Sequence, residues 1–197
     1  GRDAELPAPT EGRTDRAIMR EMFVRHGLPI PGWESAQRAL EVAGQGREED
    51  LRRRGRVLPG VQDALKALAA DPEVCSSVLT GNIAANARVK LRAFGLDGLL
   101  DLSVGGYGED SEDRARLVDA ARTRIHAAYG VAMMAPTVLI GDTPRDVQAA
   151  HDAEAHCVAV ASGIHSVAEL RAAGTDFVVP DLTDTQNLLA HLRAAAA

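Results

Sequence analysis

The residues best placed to do chemistry lie in Val138-Leu139-Ile140-Gly141-Asp142-Thr143-Pro144-Arg145-Asp146. A short apolar run ends in Gly-Asp, and a second Asp follows four residues later behind a Thr-Pro helix start. The pattern predicts a buried parallel strand that delivers Asp142 to its C-terminal edge, then a helix whose first turn carries Asp146. An Asp at the end of a buried strand is unfavourable unless it is paired or coordinated. Mg²⁺ prefers carboxylate oxygens and water, and often takes only one or two carboxylates. Two other loops carry polar groups. Thr80-Gly81-Asn82 offers a hydroxyl, then a helix start with free backbone N–H groups, which suits an anion; an ordinary turn capped by Asn82 is the plainer alternative. Glu109-Asp110-Ser111-Glu112-Asp113-Arg114-x-Arg116 places acids where a helix N-terminus favours them. An arginine in the same turn can reach across the sheet edge and neutralise a bound phosphate.

These loops need elements to position them. Residues 10–56 read as wholly helical: Asp15 to His26 carries Ile18, Met22 and Phe23 at helical spacing and stops at Gly27, and Trp33 to Arg54 is a second stretch that Gly44 and Gly46 divide. After Leu58-Pro59-Gly60 the pattern changes to alternation. Helices are expected at 61–70, 82–94, 113–129, 144–154, 166–173 and 183–195. Strands are expected at 74–79, 99–104, 137–140, 156–160 and 176–179, with Gly105-Gly106-Tyr107-Gly108 as a flexible loop. That order predicts an α/β architecture: a parallel sheet with helices on both faces and ligands at the strands' C-terminal edge.

At 197 residues, 46% apolar and 25% charged, the composition is that of a soluble globular domain with a small added unit. No apolar run approaches the roughly 20 residues of a membrane span. The net charge of −6 sits in the second part: residues 1–56 are slightly basic and 57–197 strongly acidic. Such a body lacks the phosphate-neutralising face that non-specific nucleic-acid binding requires. Arg52-Arg53-Arg54-x-Arg56 reads as a solvated helix end. Cys75 and Cys157 show no metal spacing and read as small hydrophobes in or beside core strands, in keeping with a reducing, cytoplasmic setting. The six histidines share no metal spacing, and Trp33 and Tyr107 read as packing groups. The first residue is Gly1 rather than Met, which suggests that something preceded it or that the chain is a fragment.

Taken together, Thr80, Arg114 and the Asp142–Asp146 pair resemble the haloacid dehalogenase superfamily of phosphohydrolases, over nearly the whole chain. The resemblance implies a Rossmann-like core over 57–197, and Gly12-Arg13-Thr14-Asp15 with the helix after it resembles the helical cap of the phosphoglycolate-phosphatase-like branch, here 1–56. It implies that Thr80, with Gly81 and Asn82, binds the transferring phosphoryl group. Arg114 is the phosphate cation, with Arg116 as the fallback, and Asp142 and Asp146 complete a Mg²⁺ site. Arg13 is a candidate substrate contact from the cap. The implied substrate is a small phosphorylated metabolite, possibly phosphoglycolate; the oligomeric state is left open.

One family motif has no match. Catalysis in the family depends on an apolar strand ending in Asp-x-Asp, whose first Asp forms an aspartyl-phosphate and whose second acts as general acid and base. Asp3-Ala4-Glu5 follows Gly1-Arg2 rather than an apolar strand and is rejected. The absent strand would lie between strands 137–140 and 74–79. The expectation is negligible turnover by these residues alone, within a parent that is the active species. Two rivals stand beside it: a non-catalytic remnant that binds phosphate or a partner, and a metal-free dehalogenase on the same fold.

Overall fold

The computed structural model describes residues 10–175 and 177–195. Three helices come first: α1 (Asp15–Arg25), α2 (Trp33–Gly44) and α3 (Glu48–Arg54). The Thr14 hydroxyl caps α1 by accepting from Ala17 N at 3.2 Å. The long stretch expected over 33–54 is two helices with Gly46 between them at φ +70°. α3 is acidic in its first turn and basic in its last, as the helix dipole favours, and Arg52 also donates to Ala93 O at 2.9 Å.

The alternating section follows: α4 (Val61–Ala69), β1 (Leu79–Thr80), α5 (Ala84–Ala93), β2 (Gly106–Tyr107), α6 (Arg114–Tyr129), β3 (Val138–Gly141), α7 (Pro144–Asp152), β4 (His156–Val160), α8 (Val167–Ala172), β5 (Val178–Val179) and α9 (Thr185–Ala195). All ladders are parallel. β4 shows how the layers form. Val158 and Val160 pack with Ala64 of α4, Val179 of β5 and Leu188 of α9. Ala159, pointing the other way, packs with Val147 of α7 and Leu170 of α8. Side chains alternate across a strand, so helices cover both faces.

Two expected strands are corrected. Only Leu79–Thr80 of 74–79 joins a ladder: Val74 and Cys75 are exposed, and 76–77 meet the neighbouring segment through single bonds, Asp101 N to Ser76 O and Ser77 Oγ to Asp101 O. The strand expected at 99–104 is absent. Asp97–Leu99 is a 3₁₀ turn, and the Asp101 carboxylate folds residues 101–103 by accepting from Ser103 N and Oγ. The ladder forms instead at Gly106–Tyr107, inside the stretch expected to be a flexible loop. A Cβ at Gly106 would strike Leu117 O, and one at Gly108 would strike Gly81 O, so these glycines permit close backbone packing. Cys75 is likewise exposed rather than in the core.

The strands form two sheets, β1-β2 and β3-β4-β5, and among the described residues no ladder joins β1 to β3. The division falls between the two strands that the family resemblance places on either side of a further one. Leu79 of β1 packs on the cluster that includes Leu139 and Val118, so one layer of side chains continues across. Ile140, mid-strand in β3, is 39% exposed. The segment before α1 crosses the C-terminal end of this division: Asp15 N donates to Gly81 O at 2.7 Å, and Gly12 lies against Thr143 and Arg145.

Candidate active site at the C-terminal sheet edge

The third loop is the most tightly built. β3 delivers Asp142 and stops. Thr143 then caps α7, with Pro144 in its first turn, in a reciprocal capping box with Asp146. Asp146 is buried at 6% exposure. Its Oδ2 accepts from Thr143 N at 3.1 Å and Thr143 Oγ1 at 2.8 Å, and its Oδ1 accepts from Arg114 Nε at 3.1 Å and Nη2 at 2.5 Å. A buried carboxylate is thus fully partnered, the condition under which burying it is tolerable. Asp142 is half-buried with its carboxylate against Gly163, where a Cβ would collide with Oδ2.

The second loop supplies the cation. Asp113 caps α6, accepting from Ala115 N at 3.0 Å, and the next residue, Arg114, turns back over the sheet edge to Asp146. Arg116 instead points outward, 72% exposed beside Asp119. Within the same loop Asp110 receives Arg124 at 2.6 and 2.7 Å and Tyr107 N at 2.9 Å. Burial pushes the Asp110 carboxyl up, but these donors outweigh it and hold it below the usual carboxylate range.

The first loop differs from the expected open cradle. Thr80 Oγ1 accepts from Asn82 N at 3.2 Å. Asn82 does not cap the helix; the cap position is Ile83, and two acids from elsewhere serve the helix start. Asp15 Oδ2 accepts from Ile83 N at 2.9 Å, and Glu109 Oε2 accepts from Ala84 N at 2.8 Å. Asn82 Nδ2 also donates to Asp15 Oδ1 at 3.3 Å. Burial raises the Asp15 carboxyl above its ordinary value, and the two donors offset this only in part. Asp15 and Glu109 lie 68 and 25 residues from their partners, so no local signal reveals either contact.

Beside Arg114 lies a cavity of about 280 Å³ lined by Gly12, Arg13, Thr14, Arg114, Arg145 and Gln148 among others. Arg13 pairs with Glu21 at 2.6 Å. The donors available to a metal are sparse: no group of three or more His, Cys, Asp or Glu side chains gathers among the described residues. Asp146 already spends both oxygens, so it suits orienting a metal's water shell, and Asp142 suits direct contact. Ser162 Oγ, one residue before the glycine that touches Asp142, is enclosed without a hydrogen-bond partner. This set fits Mg²⁺ when water, substrate or a further carboxylate completes the shell.

Comparison with known proteins agrees with this geometry. Residues 114–185, which contain Arg114, Asp142 and Asp146, match the family model described as HAD-hydrolase-like. Those residues are haloacid dehalogenase-like. A hydrolase from Pseudomonas syringae is 26% identical, with a TM-score of 0.67 over 95% of this chain and 81% of that one. A protein described as a predicted phosphoglycolate phosphatase from Haemophilus somnus is 19% identical, with a TM-score of 0.63 over 95% and 85%. A haloacid dehalogenase-like family hydrolase from Streptococcus pneumoniae is 17% identical, with a TM-score of 0.52 over 96% and 94%. The latter two likenesses speak for the fold. No curated protein matches the chain significantly in sequence. Arg114, Asp142 and Asp146 all fall within the matched residues, and Arg114 meets Asp146 directly.

Proposed function

We propose that this chain provides the phosphate-binding, charge-neutralising and metal-orienting parts of a Mg²⁺-dependent phosphomonoester hydrolase acting on a small phosphorylated metabolite, with phosphoglycolate the leading candidate. The observation that carries the reading is the Arg114–Asp146 pair, which joins two of the three loops at 2.5 Å. Residues 57–197 act as the catalytic core and 1–56 as the helical cap, in a cytoplasmic protein; no described helix is long and apolar enough to cross a membrane.

In this reading Thr80 Oγ–H and the N–H groups of Gly81 and Asn82 hold phosphate oxygens. Arg114 offsets the charge on the transferring group, and preorganised positive charge of this kind supplies most of the catalysis in phosphoryl transfer. Asp142 would hold Mg²⁺, which would supply positive charge to the bound phosphate. Asp146 fixes the Arg114 head through Oδ1 while Thr143 fixes Asp146. The nucleophile is an Asp outside these residues: its carboxylate oxygen bonds to phosphorus as the ester oxygen leaves, and water then releases phosphate.

The remnant reading rests on a specific observation too, since no apolar strand ending in Asp-x-Asp occurs in the 197 residues. Binding measurements test the shared part. Titration calorimetry with Mg²⁺ should show a site that Asp142→Asn abolishes, and Arg114→Ala should weaken inorganic phosphate binding by about tenfold, the loss of one charge-assisted contact. Binding indifferent to both substitutions would refute the site.

A further inference from the structure

The two carboxylates of the third loop are placed by different means. Asp146 is held by donors from Thr143 and Arg114. The Asp142 carboxylate instead packs on the neighbouring loop, at Gly163. β3 and β4 run in register, with Gly141 opposite Ala159, so the residues that follow each strand leave the sheet edge side by side. A Cβ built on Gly163 would collide with Asp142 Oδ2, and would lie 3.0 Å from its Cγ and 3.2 Å from its Cβ. The three atoms nearest that point therefore all belong to the Asp142 side chain. Gly163 is exposed and is not among the glycines of positive φ, so neither burial nor backbone conformation demands glycine there. What excludes a side chain is the acid.

From this contact we infer that Gly163 is a positioning residue for the metal: by lacking a side chain, it leaves the space in which the Asp142 carboxylate sits and sets where that carboxylate presents its oxygens. The inference rests on the reading of Asp142 as the acid that holds Mg²⁺. Neither backbone gives way easily. Asp142 lies between the last residue of β3 and Thr143, whose N–H and hydroxyl are tied to Asp146. The Gly163 loop is pinned at both ends, by Ala161 N donating to Val179 O at 2.8 Å and by Ser166 in a reciprocal capping box with Glu169. An added methyl group is therefore accommodated by turning the Asp142 side chain about its Cα–Cβ bond, the softest part of the contact. The carboxylate leaves its position with no loss to the core, because Gly163 is exposed and Asp142 only half-buried. Metal binding is sensitive to such a shift: losing a group that orients a ligand typically weakens affinity by about 10–100-fold.

The test uses the whole chain and Mg²⁺ alone, with affinity read by titration calorimetry and folding by the thermal midpoint. Gly163→Ala should weaken Mg²⁺ binding by about tenfold while the midpoint stays at that of the parent. Ile164→Ala, which truncates the next residue of the same loop, 73% exposed, should change neither. Mg²⁺ binding that Asp142→Asn abolishes but Gly163→Ala leaves intact overturns the positioning role and keeps the metal site. An equal loss in Ile164→Ala, a midpoint that falls with the affinity, or a Gly163→Ala chain that does not fold also overturns it, because the contact would then serve the loop's stability rather than the acid's placement. No Mg²⁺ binding in the parent, or binding indifferent to Asp142→Asn, removes the metal reading itself, and the role of Gly163 falls with it.

Discussion

Two acids of the site region are shifted in opposite directions from the ordinary carboxylate value. Asp110 is held below its ordinary 3.8 by Arg124 and Tyr107 N–H despite its burial, so its stabilisation is present above 3.8 and lost as pH falls through the lower folded value. Asp110→Asn should destabilise by about 2 kcal/mol at about pH 7, with the difference from the parent shrinking at about pH 3; urea midpoints at the two pH values check it. An equal gap at both would contradict the assignment. Asp15, raised by burial, contributes the reverse: folding is favoured at this residue below 3.8 and less so as pH rises past its folded value. The two thiols differ in accessibility. Burial, then the nearby Asp146, pushes Cys157 up to about 12, while Cys75 is exposed. At about pH 8 a disulfide reagent should modify Cys75 readily and Cys157 only on unfolding; equal rates would show that β4 opens easily.

At the scale of elements, the turn between α7 and β4 carries an avoidable strain. Glu154 is the one described non-glycine residue with positive φ, at +50°. Its carbonyl and that of Ala153 are held by Arg122, whose head is buried between α6 and this turn. Glu154→Gly should raise stability by about 0.5–1 kcal/mol, and thermal unfolding would show it as a higher midpoint. Arg122→Ala should lower stability by about 2–3 kcal/mol, since two carbonyls lose a charged donor; a neutral result would mean that water replaces the guanidinium without loss. What could be read beforehand follows the same physics. Helices α6 and α7 were legible because Asp113, Gly130, Thr143 and Pro144 are local start and stop signals. The ladder at Gly106–Tyr107 was not, because glycine suits a strand there only through the backbone of Leu117 pressing close. Asp142, Asp146 and Arg114 were legible as residues of one edge from strand and helix starts. Asp15 at Ile83 and Glu109 at Ala84 were not, because such contacts are set by tertiary packing and leave no spacing in the chain.

For the whole molecule the division between β1 and β3 is the feature on which the proposed function turns. Among the described residues, backbone groups along both strand edges have no ladder partner there, which is unfavourable unless another segment pairs with them. The same position is where the proposed mechanism needs its nucleophile, at the mouth lined by Arg114 and Asp142. If these residues form the proposed phosphatase site, an apolar strand ending in Asp-x-Asp completes it. The most direct measurement is Mg²⁺-dependent phosphate release from phosphoglycolate by the 197-residue chain, alone and with such a strand supplied as a peptide. The chain alone should give negligible release, and the added strand should give clear release that chelation or Asp142→Asn abolishes. Turnover at the level of an ordinary enzyme by the chain alone would contradict it, as would a strand that binds yet restores nothing, which would leave the non-catalytic binding protein as the better description.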